Sequence, residues 1–490
     1  MNNLKKKVIS GLGWSSTSRI FQYIFNFIIT IVLIRLIDPS EFGVFAMAVV
    51  LIGFASLFSE IGFNEALIQK KDITGVQLNS IFWLNLIIAF TITVILVLTA
   101  PLISIFYKEN ILKEIIVIIS INFLILPFQS IQTVLLKKNL EFKKISIIEI
   151  ITMLVSGFFA LALAVLNFKI WALVAQSIVS SLTRVILIRK FSSWRVEFKF
   201  DLKSIKILFK FSSNLFGFKL FNYFARNMDN ILIGKYLGAN SLGIYSKAYS
   251  IMLFPITKLG GIISQVLFPA LSSIQSDLKR VKKIYLQITR GIAILTFPLI
   301  IGIITISDKL IPLLFGEKWI DIIPVLQILC IGGLAQSIGT TMGIIYTSQG
   351  RTDIMMKWGI FSGTVRVIAI IIGLRWGIIG VSSLYVLSGY LFLFYPGWKI
   401  VGKIINMKFT EMMKNLFPAF LSSIIMGIAV FSLGLLLPDS LNDFTRLFIE
   451  VLFGIILYVF IISAFKLKAY LEIKDIVISK LKNKKKKYLK

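Results

Sequence analysis

Residues 33–48 read LIRLIDPSEFGVFAMA, and residues 233–248 read IGKYLGANSLGIYSKA. The second stretch repeats the first at an offset of 200 residues. Arg35 aligns with Lys235, Leu36 with Tyr236, Ile37 with Leu237, Gly43 with Gly243, Val44 with Ile244, Phe45 with Tyr245 and Ala48 with Ala248. The shared glycine suits a turn that enters the next helix, where a residue without Cβ is useful. Internal duplication is a common transporter signature. If each copy holds six spans, both copies insert the same way up, an axis along the membrane normal relates them, and a substrate path lies between them.

Composition places the repeat in a membrane. The chain has 490 residues, 57% of them hydrophobic, and a mean hydropathy of +0.88, whereas soluble domains sit near 45–50% apolar. Apolar runs of about 20 residues, the length that crosses a bilayer, recur throughout. The expected fold is an all-α polytopic membrane protein with about 14 transmembrane helices. Their limits are 11–35, 42–63, 78–106, 112–135, 146–166, 169–188, 211–233, 241–271, 284–307, 322–347, 354–374, 377–398, 415–437 and 445–465. The domain reading is an N-lobe of six helices over 1–200 and a pseudo-symmetric C-lobe of six over 201–402. Residues 403–490 add two C-terminal helices and a basic tail. Three lysines precede the first apolar run, but the run is long, holds Arg19 and lacks a small-residue cleavage pattern, so it reads as an uncleaved first span.

The net charge is +30, and its placement sets orientation. The N-terminus, alternate connections and the C-terminus hold 36 of the 53 Lys and Arg, while the opposite connections hold nine. By the positive-inside rule both termini are cytoplasmic. The KNKKKKYLK tail reads as an orientation signal or a contact for anionic headgroups, with no nucleic-acid partner.

Several classes are excluded or disfavoured. The sequence has no His and a single Cys, Cys330 in the apolar run VLQILCIGG. Internal disulfides, His catalysis and His metal sites are therefore ruled out, and Cys330 reads as core packing. Every hydrophilic connection is too short for a folded domain, and no GxxxxGK[ST] or strand-linked GxGxxG run occurs. A nucleotide-driven pump or a soluble-domain glycosyltransferase does not fit.

Charges inside the spans carry the functional signal. Residues 219–230 read KLFNYFARNMDN, and a charge at a helix centre costs roughly 2.5–3.5 kcal/mol on insertion scales. At the same offset of 200, Arg19 aligns with Lys219, Gln22 with Asn222 and Asn26 with Arg226. Positions 19, 22 and 26 fall within a narrow arc of one helix, as do 219, 222, 226, 229 and 230. Two repeat-related helices thus each carry a polar, net basic stripe, which lipid would penalise and a wet cavity accommodates. Such a cavity favours an anionic cargo, phosphate first. The competing structural reading pairs Arg226 with Asp229 at i, i+3. It leaves Lys219 unexplained, and Arg19 has no acid on its own stripe. The candidate substrate contacts are Arg19, Gln22, Asn26, Lys219, Asn222, Arg226 and Lys258. Glu60 and Asp229 are candidate ion or proton coupling sites, with an interfacial carboxylate an equal reading for Glu60. Asn122, Gln129 and Gln132 share a face and suit interhelical hydrogen bonds. Gly339/Gly343 and Gly359/Gly363 suit close packing. Arg184, Arg290 and Arg366 read as snorkelling residues, and Trp319 in LFGEKW reads as an interfacial anchor.

Several motifs together carry a family resemblance. They are the N-terminal block GLGWSSTSRIFQYIFNFIITIVLIRLIDPSEFGVFAMAVV and its continuation, RNMDNILIGKYLGANSLGIYSKAY, LFGEKW and SQGRTDIMMKWG. Over nearly its whole length the chain resembles the polysaccharide flippases, the Wzx-like exporters of the colanic acid and teichuronic acid branch. These belong to the multidrug/oligosaccharidyl-lipid/polysaccharide exporter superfamily. The resemblance implies twelve core helices in two lobes, often with two more, and a cationic central cavity. It implies alternating-access transfer of an undecaprenyl-diphosphate-linked oligosaccharide across the bacterial cytoplasmic membrane, without cofactor or catalysis. A Na+ gradient, an H+ gradient or the membrane potential would drive it, and the polysaccharide polymerase machinery is a further partner. Multidrug or cation antiporters and lipid II flippases share the superfamily and remain alternatives. A cation antiporter calls for an acidic cavity. A membrane-embedded glycan polymerase calls for a sizeable outer loop, which this chain lacks.

Overall fold

The computed structural model of the 490-residue chain describes residues 2–59, 67, 73–438, 440–468 and 470–471. Among these residues every regular element is helical, as a lipid-facing chain requires, because a helix satisfies its own backbone polar groups. Among the described residues ten helices are long and apolar enough to cross a membrane, or eleven if the pair bent by 44° at residue 126 is one span. That count treats Thr352–Ile405 as one stretch although it contains several helices. The fourteen spans expected from the sequence are compatible with this arrangement. Large apolar side chains such as Leu98, Ile105 and Leu435 are more than two-thirds exposed, the pattern of a surface whose solvent is hydrocarbon.

The chain divides into two compact units, Met1–Gly243 and Ile244–Lys490. The first contains α1 (Asn2–Leu36), α2 (Pro39–Ser59), α3 (Gly75–Tyr107), α4 (Ile111–Ile125), α5 (Pro127–Lys138), α6 (Phe142–Val165) and α7 (Ile170–Phe191), and the leading part of α8 (Leu202–Ser272). Here α6 packs between α1 and α7, and α4 packs on α2, α3 and α7. Local sequence sets the helix limits. Thr74 and Gln77 form a reciprocal capping box that starts α3. Pro127 lacks the N–H that would continue α4, and it opens α5 from the first helical position. The connection from α7 to α8 is pinned to the start of α3. Glu197 N donates to Asn79 Oδ1 at 2.9 Å, Asp201 N to Ser80 Oγ at 2.8 Å, and Trp83 Nε1 to Glu197 O at 3.0 Å.

The repeat is visible as structure. The chain breaks between α1 and α2 at residues 37–38, and α8 breaks 200 residues later at Gly238, whose φ of 84° and ψ of 178° are open to glycine alone. Gly43 and Gly243 serve another purpose than the turn expected of them. A Cβ on Gly43 would lie 1.7 Å from Ala239 O, and a Cβ on Gly243 would lie 1.9 Å from Pro39 O. Positions 39 and 239 are themselves repeat equivalents, so the contact is reciprocal. The glycines are required by backbone approach.

The second unit is organised around α9 (Leu278–Phe315), which packs on α10 (Ile322–Gly339), α15 (Phe409–Leu436) and α16 (Asp443–Ala464). Between α10 and α15 lie α11 (Met342–Ser348), α12 (Thr352–Gly373), α13 (Gly377–Ser388), a π-helical turn over Gly389–Phe394 and α14 (Tyr395–Ile405). Tyr285, Phe297, Tyr346, Trp398 and Tyr458 belong to its core. Two of these tyrosines place their hydroxyls on partners, Tyr285 on Thr341 Oγ1 and Tyr458 on Ile294 O, both at 2.9 Å. Glu450 on α16 is 2% exposed and is paired with Lys309 of α9.

Cys330 is fully buried in this unit, in keeping with core packing. Two other expectations fail. Trp319 is fully buried against Phe315, so it fills the unit's interior and is no interfacial anchor. Among the described residues no atom outside its own helix lies within 4 Å of a Cβ added to Gly339, Gly343 or Gly359, so these three do not serve close packing, whereas Gly363 is buried. The Arg366 guanidinium sits 5.2 Å from the Tyr385 ring centre, a cation–π contact between α12 and α13.

Candidate functional site

A cavity of about 890 Å³ lies within the first unit, lined by α1, Phe45 of α2, the end of α5, α6 and α7. Arg19, Gln22 and Asn26 line it from α1, as their i, i+3, i+7 spacing allows. Ser146, Glu149, Thr152 and Ser156 line it from α6. Gln176, Ser180 and Arg184 do so from α7 at four-residue steps, and Lys137 closes one end. Helices α1, α6 and α7 thus each turn polar side chains to one space, beside apolar ones such as Ile145, Met153 and Leu173.

The electrostatics are net positive. Among the described lining residues, three cations, Arg19, Lys137 and Arg184, and one carboxylate, Glu149, border the cavity. None of the three cations makes a hydrogen bond or an ion pair with another described residue. Glu149 is engaged by a neutral group: Gln22 Nε2 donates to Glu149 Oε2 at 3.3 Å and to Ser18 Oγ at 2.8 Å. A structural salt-bridge network would pair these charges. Here the cations are exposed and the carboxylate is half-buried. Chemically the space can hold a hydrated anion with hydroxyl and amide groups around it.

The other sequence candidates have separate positions. Asn222 is half-buried and Arg226 exposed on α8, and neither borders this cavity. Asp229 is 7% exposed, and its Oδ1 accepts from Asn230 N at 2.8 Å. No ion pair joins it to Arg226 among the described residues, so the structural i, i+3 pairing is not realised. Beside them Tyr223 donates its hydroxyl to Val50 O across to α2. Lys258, in the second unit, stands 5.9 Å from the Phe254 ring centre. The Lys219 side chain and Glu60 lie outside the described residues.

Sequence reading missed Glu149 and the Ser/Thr stripe of α6, and it assigned Arg184 to snorkelling. The available signal was the spacing of Gln176, Ser180 and Arg184, which repeats at one helical turn. The interhelical bond expected of Asn122 is present, its Nδ2 donating to Ser177 Oγ at 3.0 Å. Gln129 and Gln132 are buried, each with a side-chain oxygen that lacks a partner.

The chain is similar to the lipopolysaccharide biosynthesis protein WzxC of Escherichia coli, with 30% identity over 90% of each chain. It is similar to the teichuronic acid biosynthesis protein TuaB of Bacillus subtilis, with 29% identity over 98% of this chain and 99% of that one. Its fold matches that of the lipid II flippase MurJ in its inward closed conformation. The TM-score is 0.74 at 17% identity, over 92% of this chain and 98% of that one. The polysaccharide biosynthesis protein family profile matches residues 32–324, more than half of the sequence, and the chain belongs to that family.

Proposed function

We propose that the chain is a flippase that moves undecaprenyl-diphosphate-linked oligosaccharide repeat units from the inner to the outer leaflet of the bacterial cytoplasmic membrane by alternating access. The product serves exopolysaccharide, O-antigen or a similar surface glycan. The observation that carries this reading is the cavity among membrane-crossing helices, with three free cations around one carboxylate among its described lining residues. Sugars and a diphosphate cannot cross hydrocarbon without replacement of their water. A hydrated basic cavity supplies that replacement while the polyprenyl tail stays in lipid. Two of the cavity's cations, Lys137 at the end of α5 and Arg184 in the later half of α7, lie toward the end of the bundle where α6 begins. The charge bias assigns this end, with both termini, to the cytoplasm, the side where the cargo is assembled. Arg19, Gln22 and Asn26 hold the cargo's anion in the first unit's cavity, and Lys219, Asn222, Arg226 and Lys258 are further candidate contacts for the same cargo.

Outward movement of an anion across an inside-negative membrane is favourable by roughly 2.3 kcal/mol per charge per 100 mV. The membrane potential therefore drives export, with Glu60 or Asp229 as the seat of any Na+ or H+ coupling. The basic tail rests on anionic headgroups, and the polymerase that consumes the flipped units is the expected neighbour. A cation antiporter is disfavoured by the excess of positive charge. The test is depletion of the protein in cells that make the polysaccharide. Lipid-linked repeat units should accumulate and stay inaccessible to a membrane-impermeant glycosidase. Undiminished appearance of units at the outer leaflet refutes the proposal.

A further inference from the structure

We propose that Glu149 sets how tightly the cavity holds its cargo: among the described lining residues its carboxylate trims the charge from +3 to +2, matching a dianion and permitting release. This rests on the flippase reading above. The geometry supports it in three ways. Glu149 is the one acid among the cavity's described lining residues, opposed by Arg19, Lys137 and Arg184. It forms no ion pair with any of them, so it does not lock the cations in place. Its orientation comes from Gln22, which Ser18 in turn holds. A carboxylate on a neutral tether remains a full negative charge facing the space that the cargo's anion enters. A substituted diphosphate carries two negative charges, which balance the residual +2. With three cations and no carboxylate the same cavity would hold the dianion too strongly for turnover and would admit more acidic cargo.

The experiment uses the full chain in detergent at neutral pH, with inorganic pyrophosphate as the probe and titrations at low and moderate salt. For each negative charge on the probe, Glu149→Gln should tighten binding about three- to fiftyfold. That span runs from a water-like to a protein-like effective dielectric for unit charges ~7 Å apart. In cells the same variant should export more slowly. Gln22→Glu, which adds a second carboxylate on the same face, should weaken binding by a similar factor, so the inference stays testable if one variant is unstable. Unchanged or weaker binding in Glu149→Gln, with wild type binding normally, overturns the role of Glu149 and leaves the flippase reading standing. A wild-type chain with no affinity for the probe, unaffected by Arg184→Gln, overturns both.

Discussion

The reciprocal glycine contact makes a sharp prediction about packing. In Gly43→Ala the new Cβ would stand 1.7 Å from Ala239 O, 2.5 Å from its carbonyl carbon and 3.0 Å from its Cα. Ordinary contact begins near 3.4 Å, so α2 and the chain around Ala239 must separate by roughly 1.5 Å. The obstacle is backbone, so no rotamer change relieves it. Overpacking of a well-packed site costs about 1–3 kcal/mol, and a backbone clash of this size belongs at or above the upper end. Gly243→Ala meets the equivalent obstacle, at 1.9 Å from Pro39 O, and should match it. Gly75→Ala is the control, because nothing lies within 4 Å of its Cβ position. Thermal denaturation of the detergent-solubilised variants, followed by loss of the monodisperse peak in size-exclusion chromatography, measures the difference. The two repeat-related variants should fall together, well below wild type and the control. Wild-type stability in Gly43→Ala would refute the close approach.

Other substitutions test separate parts of the structure by the same assay. Glu450→Ala leaves Lys309 without its carboxylate in a largely buried setting. It should cost about 3–5 kcal/mol, whereas the double change Lys309→Leu with Glu450→Leu should recover most of the loss. Asn442→Ala removes the oxygen that accepts from Thr445 N at 2.8 Å and should cost about 1 kcal/mol through fraying of α16. Trp83→Phe keeps the ring stacked on Phe198 but deletes the N–H that Glu197 O accepts. It should cost about 0.5–1.5 kcal/mol and raise protease sensitivity in the connection from α7 to α8.

Much of the fold was legible because lipid constrains sequence heavily. Apolar length gave the helices, and the repeat gave the matched breaks at residues 37–38 and at Gly238. The role of Gly43 and Gly243 was misread because a glycine that opens a turn and one that admits a neighbouring backbone look alike in sequence. The α1 part of the site was legible from Arg19, Gln22 and Asn26, since charge in an apolar helix must face water or a partner. Glu149 and Arg184 were not, because sequence fixes the period of a helix but not the azimuth at which it packs. Nothing in the spacing of Ser146, Glu149 and Ser156 says that α6 turns this face toward α1. Trp319 shows the same limit: aromatic residues near a span's end serve interfaces or cores, and only the packing of Phe315 decides between them.

The central claim is that unpaired positive charge in the first unit's cavity carries the cargo. Its most direct test is export of the surface polysaccharide, with quantified lipid-linked repeat units, in cells whose only copy carries Arg19→Gln and Arg184→Gln together. The expected result is loss of export and accumulation of inner-leaflet repeat units, with protein level and thermal stability close to wild type. Arg19→Lys with Arg184→Lys, which keeps the charge, should restore export at least in part. Normal export by the stable doubly neutralised protein would contradict the account.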